Sequence, residues 1–172
     1  MLQLSGTLLN RPILNLRTGN VAGLTQRPLI NPNNLKIEGF YCKDDVDRTR
    51  TPVLLYQDIR DVIPQGIVIN DYDVLVDPGE LVRLKATIDS KFDLIGKKVI
   101  TADKQKIGKV SDFATEIETM YIQKLYITQS MLKNLTGGNL IIDRNQIVEI
   151  NDKYIVIQDL QGHIPARAGA PA

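Results

Sequence analysis

Three aspartates fall within one short stretch, at Asp44, Asp45 and Asp47. Carboxylates at that density could hold a hard cation such as Ca²⁺, which takes oxygen ligands. The known calcium-loop pattern also needs a glycine at its sixth position and a closing glutamate, whereas Arg48 and Arg50 follow here. The stretch therefore reads as a solvated charged loop with local ion pairs. Cys42, the single cysteine, would be a nucleophile only as a thiolate in an accessible, electropositive setting with a base beside it. Its neighbours Phe40 and Tyr41 favour a small buried apolar side chain instead. His163, the only histidine, sits in Gln161-Gly162-His163-Ile164-Pro165 with no acid or nucleophile near it in sequence, and reads as an exposed loop residue. Ser111-Asp112 and Ser130 match no nucleophile-elbow pattern. Neither Gly19-Asn20-Val21-Ala22-Gly23 nor Gly137-Gly138 leads into a helix followed by Lys-Ser/Thr, so turn geometry explains these glycines better than a phosphate cradle. No catalytic, cofactor-binding or metal-ligating residue is assigned, and no enzymatic activity is expected.

One cluster carries charge without carrying chemistry. Lys97, Lys98, Lys104, Lys106 and Lys109 gather around one predicted hairpin, where they could meet RNA phosphates or an acidic partner. No aromatic residue is interleaved among them to stack on bases. Across the chain, 21 Lys and Arg balance 20 Asp and Glu for a net charge of +1, which argues against wrapping nucleic acid by counterion release. A protein partner is the first expectation and nucleic acid the second; self-association is left open.

The elements that must position these side chains are mostly strands. Tyr121 to Ile127 and Tyr154-Ile155-Val156-Ile157 are β-branched and aromatic runs bounded by polar turns. Asn151-Asp152-Lys153 reads as a tight hairpin, since Asn and Asp tolerate positive φ. Pro28, Asn31, Pro32, Asn33 and Asn34 predict a long loop or an edge strand in the first half. Helix signals concentrate at Asp77, a candidate N-cap, followed by Pro78 and by Leu81, Leu84 and Ile88 on one face, so a connecting helix is expected over residues 78–90. A second short helix is expected from Ser130 to Leu135.

The order of elements recurs. Leu8-Leu9-Asn10-Arg11-Pro12-Ile13-Leu14 with its turn at Arg17 to Asn20 is echoed by Leu94-Ile95-Gly96-Lys97-Lys98-Val99-Ile100 with its turn at Asp103 to Lys106. Later, Asp61-Val62 followed by Ile67 to Asp71 is echoed by Gln146-Ile147 followed by Ile155 to Asp159. Such self-similarity predicts two modules. At roughly 80 residues each would bury only about 60% of its unfolded surface, so the two should pack together. The expected fold is all-β: a first barrel over 1–77, a helical linker over 78–90, a second barrel over 91–162 and a disordered tail over 163–172. Val99, Ile107, Ile142 and Ile155 are expected in the second core. The N-terminus lacks the basic start and apolar run of a signal peptide, and no apolar run approaches the about 20 residues of a membrane helix. With one cysteine, a reducing cytoplasm is expected.

Residues Leu94 to Asp103, followed by Lys106-Ile107-Gly108-Lys109-Val110-Ser111-Asp112 and by Ile141 to Val148, resemble a PRC-barrel domain, the small β-barrel of the photosynthetic reaction centre H subunit. The likeness covers most of Leu94 to Leu160; Leu4 to Val76 resembles it more loosely, with Ala22 or Gly23 at the place of Gly108. Asp77 to Lys85 resembles the linker of bacterial stand-alone proteins with two such barrels in tandem. The resemblance implies a rigid β module that docks onto a partner. Such barrels also occur in a bacterial ribosome maturation factor and in small proteins proposed to act in cell division. The chain lacks the H subunit's membrane helix and the maturation factor's different N-terminal domain. A cytoplasmic scaffold or adaptor is thus expected, with an RNA-associated factor in ribosome assembly as the alternative.

Overall fold

The computed structural model describes residues 1–129 and 139–158. The chain runs β1 (Leu2–Leu4), β2 (Pro12–Asn15), β3 (Val21–Asn31), β4 (Lys36–Asp44), β5 (Val53–Leu55), β6 (Ile59–Ile63), β7 (Gly66–Ile69) and β8 (Leu75–Val76). After α1 (Lys85–Ser90) come β9 (Lys98–Thr101), β10 (Lys106–Glu116), β11 (Ile122–Gln129), β12 (Asn139–Asp143), β13 (Ile147–Ile150) and β14 (Tyr154–Ile157). The fold is all-β around two sheets. The first has the order β6-β7-β2-β3-β4-β5-β8, and the second β12-β11-β10-β9-β14-β13 with β1 alongside β10.

The two orders correspond step for step. In each sheet a hairpin, β6-β7 or β13-β14, joins an earlier strand in parallel, with Ile13 opposite Ile67 in one and Val99 opposite Ile155 in the other. These four residues point inward and are buried, as alternation along a half-buried strand requires. Leu8 and Leu94 are both fully buried just before the first strand of each sheet. Between each leucine and its strand the chain turns through a positive φ, 56° at Asn10 and 83° at Gly96. The strands are shorter than the apolar runs Leu8 to Leu14 and Leu94 to Ile100 predict, because these turns consume their first halves.

A reciprocal seam joins the sheets. Leu35 and Met120, both buried and both at positive φ, end the turns before β4 and β11. The amide of Ile37 donates to Met120 O at 2.8 Å, and the amide of Ile122 donates to Leu35 O at 3.0 Å. Lys36 and Tyr121 face each other across this bridge. The crossing continues outside it: β1 pairs with β10 through Leu2↔Glu116, Gln3↔Thr115 and Leu4↔Ala114, while α1 lies against β3. Residues 2–4, expected within the first module, thus complete the second sheet. The Ser5 hydroxyl donates to Asp112 at 2.5 Å, and the Arg144 guanidinium donates to Asn34 O at 2.6 Å while stacking over Tyr121. One apolar core spans both sheets.

Several expectations are corrected. The linker is not one helix but two 3-10 turns, Pro78–Glu80 and Val82–Leu84, followed by the short α1. Leu81 departs from helical geometry at ψ 66°, and the Asp77 side chain makes no capping bond, pairing with Arg50 instead. Leu81, Leu84 and Ile88 are only half-buried. Pro28 lies inside β3, opposite Phe40. It is tolerated because β2 pairs only with residues up to Leu24, so no ladder on that side needs its missing amide. The 151–153 turn is present, but it is closed by Asn151 Oδ1, which accepts from the amides of Lys153 and Tyr154, rather than by positive φ. Val99, Ile142 and Ile155 are core residues, and Ile107 is half-buried and packs against that core. The expected helix from Ser130 to Leu135, Gly137-Gly138, His163 and the tail lie outside the described residues. Among the described residues no helix is long and apolar enough to cross a membrane.

Candidate functional site

Gly108 makes the local geometry of the second sheet. A Cβ there would stand 2.2 Å from Thr128 O and 3.0 Å from the Ile127 side chain, so β10 and β11 can cross closely only where a side chain is missing. A bulge between Lys106 and Gly108 shifts the register against β9. Such an irregularity breaks strict alternation, and Ile107 is left half-exposed. Across the outer face one line of neighbours then runs over four strands: Tyr154 opposite Lys98, Lys98 opposite Lys109, and Lys109 opposite Thr128. With Lys106, Ile100, Ile107 and Gly108 these residues line a concavity of about 440 Å³. Its floor is apolar and its rim is cationic.

The predicted lysines do not all belong to it. Lys98, Lys106 and Lys109 rim the concavity and are exposed, and their side chains make no ion pair or hydrogen bond with any described residue. Lys97 is committed elsewhere: it donates to Asn151 O and Asp152 O at 3.3 and 2.9 Å and lies 4.6 Å over the Phe92 ring. Lys104 holds the β9-β10 turn at φ 63°. Tyr154, which the spacing of the lysines could not reveal, enters through the parallel pairing of β14 with β9.

A second exposed surface lies at the edge of the same sheet. β12 pairs with β11, with Ile141 opposite Tyr126 and Ile142 opposite Leu125. On its other side β12 has no strand partner among the described residues, and Ile141 is 49% exposed. The corresponding strand of the first sheet, β5, is covered: β8 pairs with it through Val53↔Val76 and Leu54↔Leu75, and Val53 is 0% exposed.

The aspartate loop proves to be structural. Asp44 is fully buried rather than solvated. Its carboxylate accepts from the amides of Val46 and Asp47, each at 2.9 Å, and from the Tyr72 hydroxyl at 2.6 Å, with Arg50 at 3.5 Å. Arg50 extends this clasp to Leu75 O and Asp77, tying the loop to the start of the linker. Burial and the hydrogen bond to Asp44 both push the Tyr72 phenol up. Asp47 is held low by hydrogen bonds from Thr49. Among the described residues no three His, Cys, Asp or Glu are grouped to hold a metal ion. Cys42 is buried in β4, its Sγ 3.2 Å from Phe40 O, and burial pushes its thiol up to about 12. Ser111 donates to Tyr126 O, away from any base.

A PRC-barrel domain is found at residues 88–164, from the end of α1 through β14 and beyond the described residues. The match takes in the whole of the concavity and β12. No curated protein matches the chain.

Proposed function

We propose that the protein is a non-enzymatic scaffold or adaptor, two PRC-like barrels in tandem, that holds a protein partner through the second barrel. The observation that carries this reading is the edge of β12, which has no outer strand partner among the described residues. An exposed edge offers unpaired amides and carbonyls to a partner strand, and Ile141 supplies an apolar contact beside them. In the first sheet β8 occupies the same place, so the chain itself illustrates the kind of strand that fits. The buried thiol of Cys42 suits the reducing cytoplasm proposed as its setting.

The test is capture of partners from native cell extract by the full chain, treated with nuclease and at moderate salt, compared with Ile141→Lys. A retained partner lost in the variant supports the reading; capture that ends with nuclease or ignores Ile141→Lys sinks it. An RNA-associated role in ribosome assembly is the second reading, favoured by Tyr154 standing beside Lys98. It requires affinity for many RNA sequences that falls steeply with salt.

A further inference from the structure

The concavity is a different surface from the β12 edge and rests on different observations. Lys98 and Lys109 stand directly opposite each other on neighbouring strands. Like charges in that position destabilise a sheet, and neither finds a counter-charge among the described residues. Lys106 adds a third cation to the same rim. Between them lies the floor of Ile100, Ile107 and the half-buried Tyr154, at the point where Gly108 lets β10 approach β11 closely. A volume of about 440 Å³ lies within the range of sites that take a ligand group.

We infer that this concavity binds an acidic segment of a protein partner, one large apolar side chain entering the floor while flanking carboxylates meet Lys98 and Lys109. Charge complementarity sets the sign of the ligand, and the recessed apolar floor sets its shape. Nucleic acid fits less well, because a phosphate backbone needs a track of cations with several stacking rings. Here three cations meet in one place around one half-buried tyrosine, on a chain whose net charge is only +1. A bilayer fits less well because a flat surface cannot reach a floor that lies below its lysine rim.

The experiment is fluorescence anisotropy with the full chain and a labelled peptide carrying phenylalanine between glutamates. Comparison ligands are the same peptide with glutamine for glutamate, the same peptide with alanine for phenylalanine, single-stranded RNA, and vesicles containing phosphatidylserine. The expected result is binding of the acidic peptide that weakens by about tenfold or more with either peptide change and with Lys98→Glu plus Lys109→Glu, since charge reversal turns complementarity into repulsion. Both lysines are exposed, so the variant should keep its fold, which the thermal midpoint checks. Ile141→Lys should leave peptide binding unchanged, so this site and the β12 edge fail separately. Preference for RNA or vesicles, no binding of the acidic peptide, or binding indifferent to the lysine reversals overturns the inference.

Discussion

The two sheets share a pairing order and differ where their outer faces cross the same bend. In the second sheet the line of neighbours reads Tyr154, Lys98, Lys109, Thr128; in the first, Pro12 lies opposite Leu24 and Leu24 opposite Lys43. Where Tyr154 precedes Ile155, Gly66 precedes Ile67, and a Cβ on Gly66 would stand 2.3 Å from Pro12 O. The first sheet cannot carry an aromatic there. Opposite the bend glycine, Gly23 faces the buried, clasped Asp44, whereas Gly108 faces the half-buried Gln129. The first sheet thus uses its polar residues for internal ties, and β5 is covered by the two-residue strand β8. The second leaves cations exposed and, among the described residues, β12 without an outer strand partner. One backbone plan carries internal ties on one side and exposed cations on the other.

The comparison is tested hardest at the bend glycines, which should behave alike in both sheets. Gly108→Ala and Gly23→Ala each drive a Cβ to within 2.2 or 2.3 Å of a carbonyl oxygen, and each should cost roughly 3 kcal/mol or more in denaturant unfolding. Gly6→Ala, with nothing within 4 Å, is the control and should cost little. A tolerated Gly108→Ala would show that the second sheet is not pinned as the first is.

The clasp should distinguish the sheets. Asp44→Ala leaves Arg50 and Tyr72 without their buried acceptor and should destabilise by about 2–4 kcal/mol, measured by thermal or urea unfolding. A loss under about 1 kcal/mol would mean that the first sheet owes little to its internal ties.

At the linker a smaller effect is expected. Leu84→Asp places a charge at a half-buried site, where water still reaches it, and should cost about 1 kcal/mol rather than the several expected of a buried helix face. A loss above roughly 3 kcal/mol would show that the linker is part of the core.

The smallest effect should come from the lysine-rimmed face. Lys98→Gln removes one of two opposed like charges and should leave stability unchanged or raise it by a few tenths of a kcal/mol, an increment that shrinks with added salt. A clear loss of stability would show that Lys98 is a structural residue and narrow the contrast between the faces.

What could be read from the chain was local. The all-β class, the hairpin at 151–153 and the burial of Cys42 follow from neighbours within a few residues, where side-chain type and turn chemistry decide the outcome. The aligned order of elements was legible for the same reason, since each hairpin carries its own signals. Ile107 packs against the second core but stays half-buried, a degree of exposure that was not legible because the bulge beside Gly108 shifts the register there. Asp44 was misread as solvated because its partner Tyr72 lies far along the chain and reaches it only in the folded sheet. Tertiary structure alone brought Tyr154 beside Lys98, sent β1 to the second sheet, covered β5 with β8 and left β12 without an outer strand partner among the described residues. Pairing between distant strands sets which side chains share a face, and no spacing along the sequence encodes that choice.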